Sequence, residues 1–175
     1  VFSLTFEITG ADKVIKELDE TASRVRDFTP VWRQIQQSFY EMMSRQYAMG
    51  GRKQWEPLSD SYARWKERVA PGRPLMVLYG HTKASLTTSS AKGSIANFSP
   101  MQLELGTAVT SERGYHYPYA HQYGLGHNKV RELIDPPPGT AGKWARMMEE
   151  YAFFIAARSG KWQSATIQDM GFEGE

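Results

Sequence analysis

Strict alternation opens the chain. In VFSLTFEIT, Phe2, Leu4, Phe6 and Ile8 take one face while Ser3, Thr5 and Glu7 take the other, which predicts a half-buried strand closed by Gly10. The period then lengthens. Val14, Leu18, Ala22 and Val25 recur at spacings of four and three, the stripe of an amphipathic helix starting at Ala11 or Asp12 that Thr29-Pro30 interrupts. A second helix is expected next, with Thr29 as its cap and Pro30 at its first position, where the missing N–H would have no partner anyway. Val31, Trp32, Ile35, Phe39, Met42, Met43 and Tyr47 give this helix a wide apolar face, and Gly50-Gly51 stops it. It should be the longest helix and the main core element.

Residues 51–82 follow neither period for long. A short helix over Ser59–Val69 fits, with Ser59 as cap and Tyr62, Trp65 and Val69 on one side, before APGRP forces a non-helical connection. From Leu86 to Val109 the alternation returns in SLTTSSA, GSIANFS and MQLELGTAV, which predicts a three-stranded antiparallel meander. PPPG at 136–139 is a rigid spacer. Trp144, Met147, Met148, Tyr151 and Ile155 then mark a final helix from about Thr140 to Arg158. The order of elements is that of an α+β fold, a small antiparallel sheet packed against two to three helices. One domain is expected over residues 1–158, with 51–82 as a long basic excursion and 159–175 as a C-terminal tail.

Composition narrows the class. The 175 residues are 41% hydrophobic and 23% charged, globular rather than disordered. No apolar run reaches membrane-spanning length, and the first residues show no basic region or cleavage site, so neither a membrane anchor nor a secretory signal is expected. Cysteine is absent, which removes disulfides, thiol nucleophiles and thiolate metal ligands and fits a reducing cytoplasm. A net charge of +2 is too small to announce a nucleic-acid binder. Its distribution is uneven, however: residues 51–85 hold seven Lys/Arg against three acids, and residues 1–20 hold five acids against two lysines. A solvated face, an acidic partner and DNA all fit such an excess.

The residues that could carry chemistry cluster at 116–127, where His116, His121 and His127 surround YPYAHQYGLG. Their spacings of five and six match no paired-histidine metal motif, and no Asp or Glu lies between residues 114 and 131 to complete or orient a site. A metal-dependent hydrolase is therefore the weakest reading. No nucleophile elbow, phosphate-binding loop or dinucleotide fingerprint is present, and no cofactor is expected. Tyr and His can fill a structural corner with their polar tips paired to backbone, but exposed Tyr, Trp and Arg are also the residues favoured at protein interfaces. For Trp55 and Trp65, burial and subunit contact both stay open. A nucleic-acid module would place Arg52, Lys53, Arg64, Lys66, Arg68 and Arg73 on phosphates, with Trp55 or Trp65 stacking on bases.

Four segments in order carry a resemblance: QWEPLSDSYARWK, PLMVLYGHTKASLTTS, YAHQYG, and Arg131 with Leu133 and Ile134. Together they resemble the phage virion-morphogenesis family, the tail-completion or tail-terminator proteins of Mu-like and related contractile-tailed phages. The likeness spans residues 32 to about 155. It departs at YGHTKASL, where the family has a shorter step, and at NKVRELI, which keeps Arg131 but lacks the flanking prolines. The resemblance implies a structural protein rather than an enzyme, located in the virion tail or neck and assembled in the host cytoplasm. Its subunits would form a ring, commonly sixfold, at the head-proximal end of the tail, against tube and sheath subunits and head–tail connector proteins, with passing contact to genomic DNA. The expected subunit or partner contacts are Trp55, Tyr62, Trp65, Arg68, Arg73, Tyr119, His121, Gln122, Tyr123 and Arg131. Arg52, Lys53, Arg64 and Lys66 would face DNA or an acidic partner. On this reading YAHQYG is a strand-to-turn element, and His121 and Gln122 supply hydrogen bonds rather than catalysis.

Overall fold

The structure, a computed structural model, describes residues 26–153 and, ahead of them, positions 16, 19, 22 and 23. The predicted first strand, most of the first predicted helix and the tail lie outside the described residues. Those described form five helices and one two-stranded antiparallel hairpin, an α+β arrangement.

Helix α1 (Thr29–Met49) is the mast of the molecule. It begins one residue earlier than the sequence predicts, because the Asp27 carboxylate accepts the Thr29 N–H at 2.9 Å and Phe28 takes the cap position. It stops as expected at Gly50, whose left-handed backbone (φ 72°) turns its N–H back onto the Gln46 carbonyl. Its buried face serves two clusters. Val31, Trp32 and Ile35 meet Trp144, Met147, Met148 and Tyr151 of helix α5 (Thr140–Phe153). Further along, Phe39, Met43 and Tyr47 meet Trp55, Val77, Leu86 and Leu133. At roughly 1.5–3 kcal/mol for each large apolar side chain buried, this one helix carries much of the stabilising burial.

Strands β1 (Ser94–Ser99) and β2 (Gln102–Thr107) pair in register from Ser94 with Thr107 to Ser99 with Gln102. Two bonds pin the hairpin's turn to the start of α1: Trp32 Nε1 donates to Ser99 O at 2.8 Å, and Phe28 N donates to Pro100 O at 2.8 Å. The third strand of the predicted meander does not form. His81–Thr87 is instead a short helix, α3, that buries Thr82, Ser85 and Leu86 at i, i+3 and i+4. Threonine and serine raised the local strand preference, but a helix lets Ser85 Oγ donate to Thr82 O and meet Thr107 Oγ1 at 2.7 Å. Helices α2 (Asp60–Val69) and α4 (Tyr117–Tyr123) lie outside this framework and are held mainly by loops.

Candidate interaction surfaces

Residues 51–58 begin with a close approach. Gly51 has φ 92°, and a Cβ there would lie 2.6 Å from the Trp55 ring, so only glycine lets the indole fold back over the helix end. Trp55 is thereby buried. Its ring meets Tyr47 edge-on at 5.3 Å, and its Nε1 donates to Glu132 O at 2.9 Å. Gln46, on the apolar face of α1, donates from Nε2 to the same carbonyl at 3.0 Å and accepts the Arg52 N–H at 3.0 Å. Arg131 closes the loop from the other side, with Nε donating to Glu56 O at 2.7 Å and an Nη to Pro57 O at 2.9 Å. Trp55 and Arg131, expected at a subunit contact, are instead 8% and 5% exposed and act as internal clamps.

The segment YAHQYG is helix α4, not a strand edge. Pro118 in its first turn and Gly124 just past its end, with left-handed φ 66°, are the start and stop of a helix. Ala120 and Pro118 face inward. Gln122 straps the helix to residues 133–134: its Oε1 accepts Leu133 N at 2.7 Å and Ile134 N at 3.0 Å, and its Nε2 donates to Ile134 O at 3.0 Å. Among the described residues His121 contributes its backbone carbonyl, which accepts Arg131 N at 2.7 Å, and its buried Nδ1 meets no partner. Burial, with the Arg131 charge as a second cause, pushes the His121 pKa down and favours neutral imidazole. On the outer side the Tyr119 and Tyr123 rings meet at a tilt with centroids 4.8 Å apart, each residue 59% exposed, with Leu125 and Val130 exposed nearby in sequence.

Helix α2 inverts the usual arrangement. Its buried position is Lys66, whose ammonium donates to the carbonyls of Arg73 (2.9 Å) and Pro74 (2.5 Å). Burial lowers the Lys66 pKa, and the two carbonyls compensate in part for the lost hydration. Tyr62 and Trp65 stack at 5.1 Å and remain exposed, as does Val69. The Tyr62 phenol is pushed up by burial and then by Tyr79, while Arg131 opposes the shift. Gln54 and Met76, the non-glycine residues with positive φ among the described residues (53° and 60°), both fall inside residues 51–82.

The six basic residues of the nucleic-acid reading separate accordingly. Arg52 pairs with Asp135 at 2.6 Å, Lys53 with Glu132 at 2.7 Å, and Lys66 is buried on carbonyls. Arg64, Arg68 and Arg73 are exposed and make no ion pair among the described residues. Gln46 was missed from the sequence, although a glutamine at i+3 from Met43 on an apolar stripe was a visible signal. Among the described residues no three His, Asp or Glu side chains converge to hold a metal ion, and no helix is long and apolar enough to cross a membrane. Comparison with family models, with curated proteins and with solved structures finds no match.

Proposed function

We propose that this chain is a structural subunit of a phage tail, a completion or terminator protein that forms a ring at the head-proximal end, ends tail growth and offers the surface on which the head docks. The ordered segments from QWEPLSDSYARWK to Arg131 support that reading. The observation that carries it furthest is the outward display of aromatic side chains on two helices, Tyr62 and Trp65 on α2 and Tyr119 and Tyr123 on α4. A ring subunit needs unlike contact patches and a docking surface besides, and each of these helices offers an exposed aromatic surface of the interface kind. Electron microscopy of particles assembled with and without the protein is the test. Overlong or headless tails in its absence, and a ring of density at the head-proximal end in its presence, are expected. Normal tails joined normally to heads without it would end the proposal.

A DNA-contacting neck protein is the second reading, favoured by Arg64, Arg68 and Arg73, which are exposed and make no ion pair among the described residues. With Arg52, Lys53 and Lys66 engaged internally, Arg64, Arg68 and Arg73 are the members of that basic set left for phosphates, about three contacts. The expected salt slope is therefore shallow, about −0.9 for each phosphate neutralised.

A further inference from the structure

We propose that the aromatic flank of α2 is a docking surface for residues 1–20 of a second copy of this chain. The inference rests on the ring reading and deepens it by naming the two halves of one subunit contact.

The flank is exposed because of what the helix buries. At about 100° per residue, Lys66 and Trp65 point a quarter turn apart, and Lys66 takes the inward position on the carbonyls of Arg73 and Pro74. Tyr62, Trp65, Val69 and Tyr79 are left 37–67% exposed. Aromatic groups gathered on a surface in this way mark an interaction site. Lys66 thus fixes the orientation that keeps the aromatic flank outward.

Charge identifies the occupant. Arg52, Lys53 and Lys66 are engaged by Asp135, Glu132 and two backbone carbonyls, which leaves Arg64, Arg68, Arg73 and Lys83 exposed without an ion pair among the described residues, against exposed Asp60 and Glu67. Residues 1–20 carry five acidic and two basic residues, an excess of three negative charges. The same twenty residues alternate Phe2, Leu4, Phe6 and Ile8, so one segment offers both apolar side chains for the tyrosines and tryptophan and carboxylates for the arginines. A second copy supplies this segment at every step of a head-to-tail contact, leaving each subunit with one shelf and one acidic segment to pass on.

The test is sedimentation velocity on the full chain and two charge reversals, one with Arg64→Glu, Arg68→Glu and Arg73→Glu, the other with Glu17→Lys, Asp19→Lys and Glu20→Lys. Circular dichroism establishes that both fold. The expected result is concentration-dependent association of the parent chain and its loss in each variant alone. An equimolar mixture of the two variants joins opposite charges at both cross-contacts, the parent pairing and its reversed counterpart, so association should return. A parent chain that stays monomeric, variants that associate undiminished, or a mixture that stays monomeric would each overturn the proposal, the last even if some other ligand occupies the shelf. Particles built with the arginine variant distinguish the two levels. Tails of normal length there would remove this contact and leave the terminator reading standing, whereas normal tails without any of the protein would remove that reading itself.

Discussion

Gln122 is the most economical place to test whether hydrogen bonds, rather than apolar packing, hold α4 to the body. Gln122→Met keeps the length of the side chain and deletes its three bonds to Leu133 N, Ile134 N and Ile134 O. Each bond is worth about 1 kcal/mol net, and a backbone group left partly buried without a partner costs about 1–3 kcal/mol. Because the site is only partly buried, a total loss of about 2–4 kcal/mol is expected. With a urea slope of about 2 kcal/mol/M, the unfolding midpoint should fall by about 1–2 M. Hydrogen exchange gives the local readout. The Leu133 and Ile134 amides should lose protection by about 30-fold to several hundred-fold, the same free energy read at the site. Gln37→Met, which removes only an exposed bond to Glu41 one turn along α1, should stay within about 0.5 kcal/mol of the parent. Unchanged protection at Leu133 and Ile134 would refute the strap, whatever happened to the midpoint.

Arg131→Met should cost about 2–4 kcal/mol in urea unfolding, because it strips the donors from the Glu56 and Pro57 carbonyls; Arg131→Lys should recover only part, since one ammonium cannot reproduce the planar fork. The pH profile of the unfolding midpoint should show two acid limbs. His121 has a folded pKa below its unfolded value of about 6.5, so its contribution is full above that value and is lost as pH falls from there through the folded pKa; His121→Phe should flatten this limb. Asp135 is held below the usual carboxylate range chiefly by its hydrogen bond from Arg52. Its contribution is therefore present above about pH 3.9, fades as pH drops through the folded pKa, and should vanish in Asp135→Asn.

The long helix was legible because its apolar period runs from Val31 to Tyr47 between a proline and two glycines, a window in which packing and pattern agree. The two seven-residue helices were not. In α3 the threonines and serines imitate a strand, and in α4 a tyrosine-rich stretch hides the proline and glycine that bound it. The clamps were the least legible of all. Whether Gln46, Lys66 or Arg131 is buried depends on which carbonyl it meets, and Gln46 meets one 86 residues away while Arg131 meets two, 75 and 74 residues away. Trp55 and Trp65 make the point at the level of one residue type. Both sit in the basic excursion, but Gly51 and Glu132 fold one inward, while Lys66 occupies the inward side of the other's helix.

This use of polar clamps has a consequence for how the exposed helices work. Among the described residues neither α2 nor α4 leans on an extensive apolar interface with another helix, and the aromatic flank of each stays exposed. A helix fixed by apolar packing would have buried that stripe. Fixing it instead through Lys66, Arg131 and Gln122 places the anchoring atoms on backbone carbonyls and amides, whose positions are set by the rest of the fold. The aromatic side chains are then held on an ordered support before any partner arrives. Ordering a rotamer-rich side chain at an interface costs about 0.5–1.5 kcal/mol, and a mobile loop beneath it would add to that cost. On the proposed ring contact, loosening Gln122 should therefore weaken association through the Leu133 and Ile134 amides whose exchange it speeds, without any change in the residues a partner would touch.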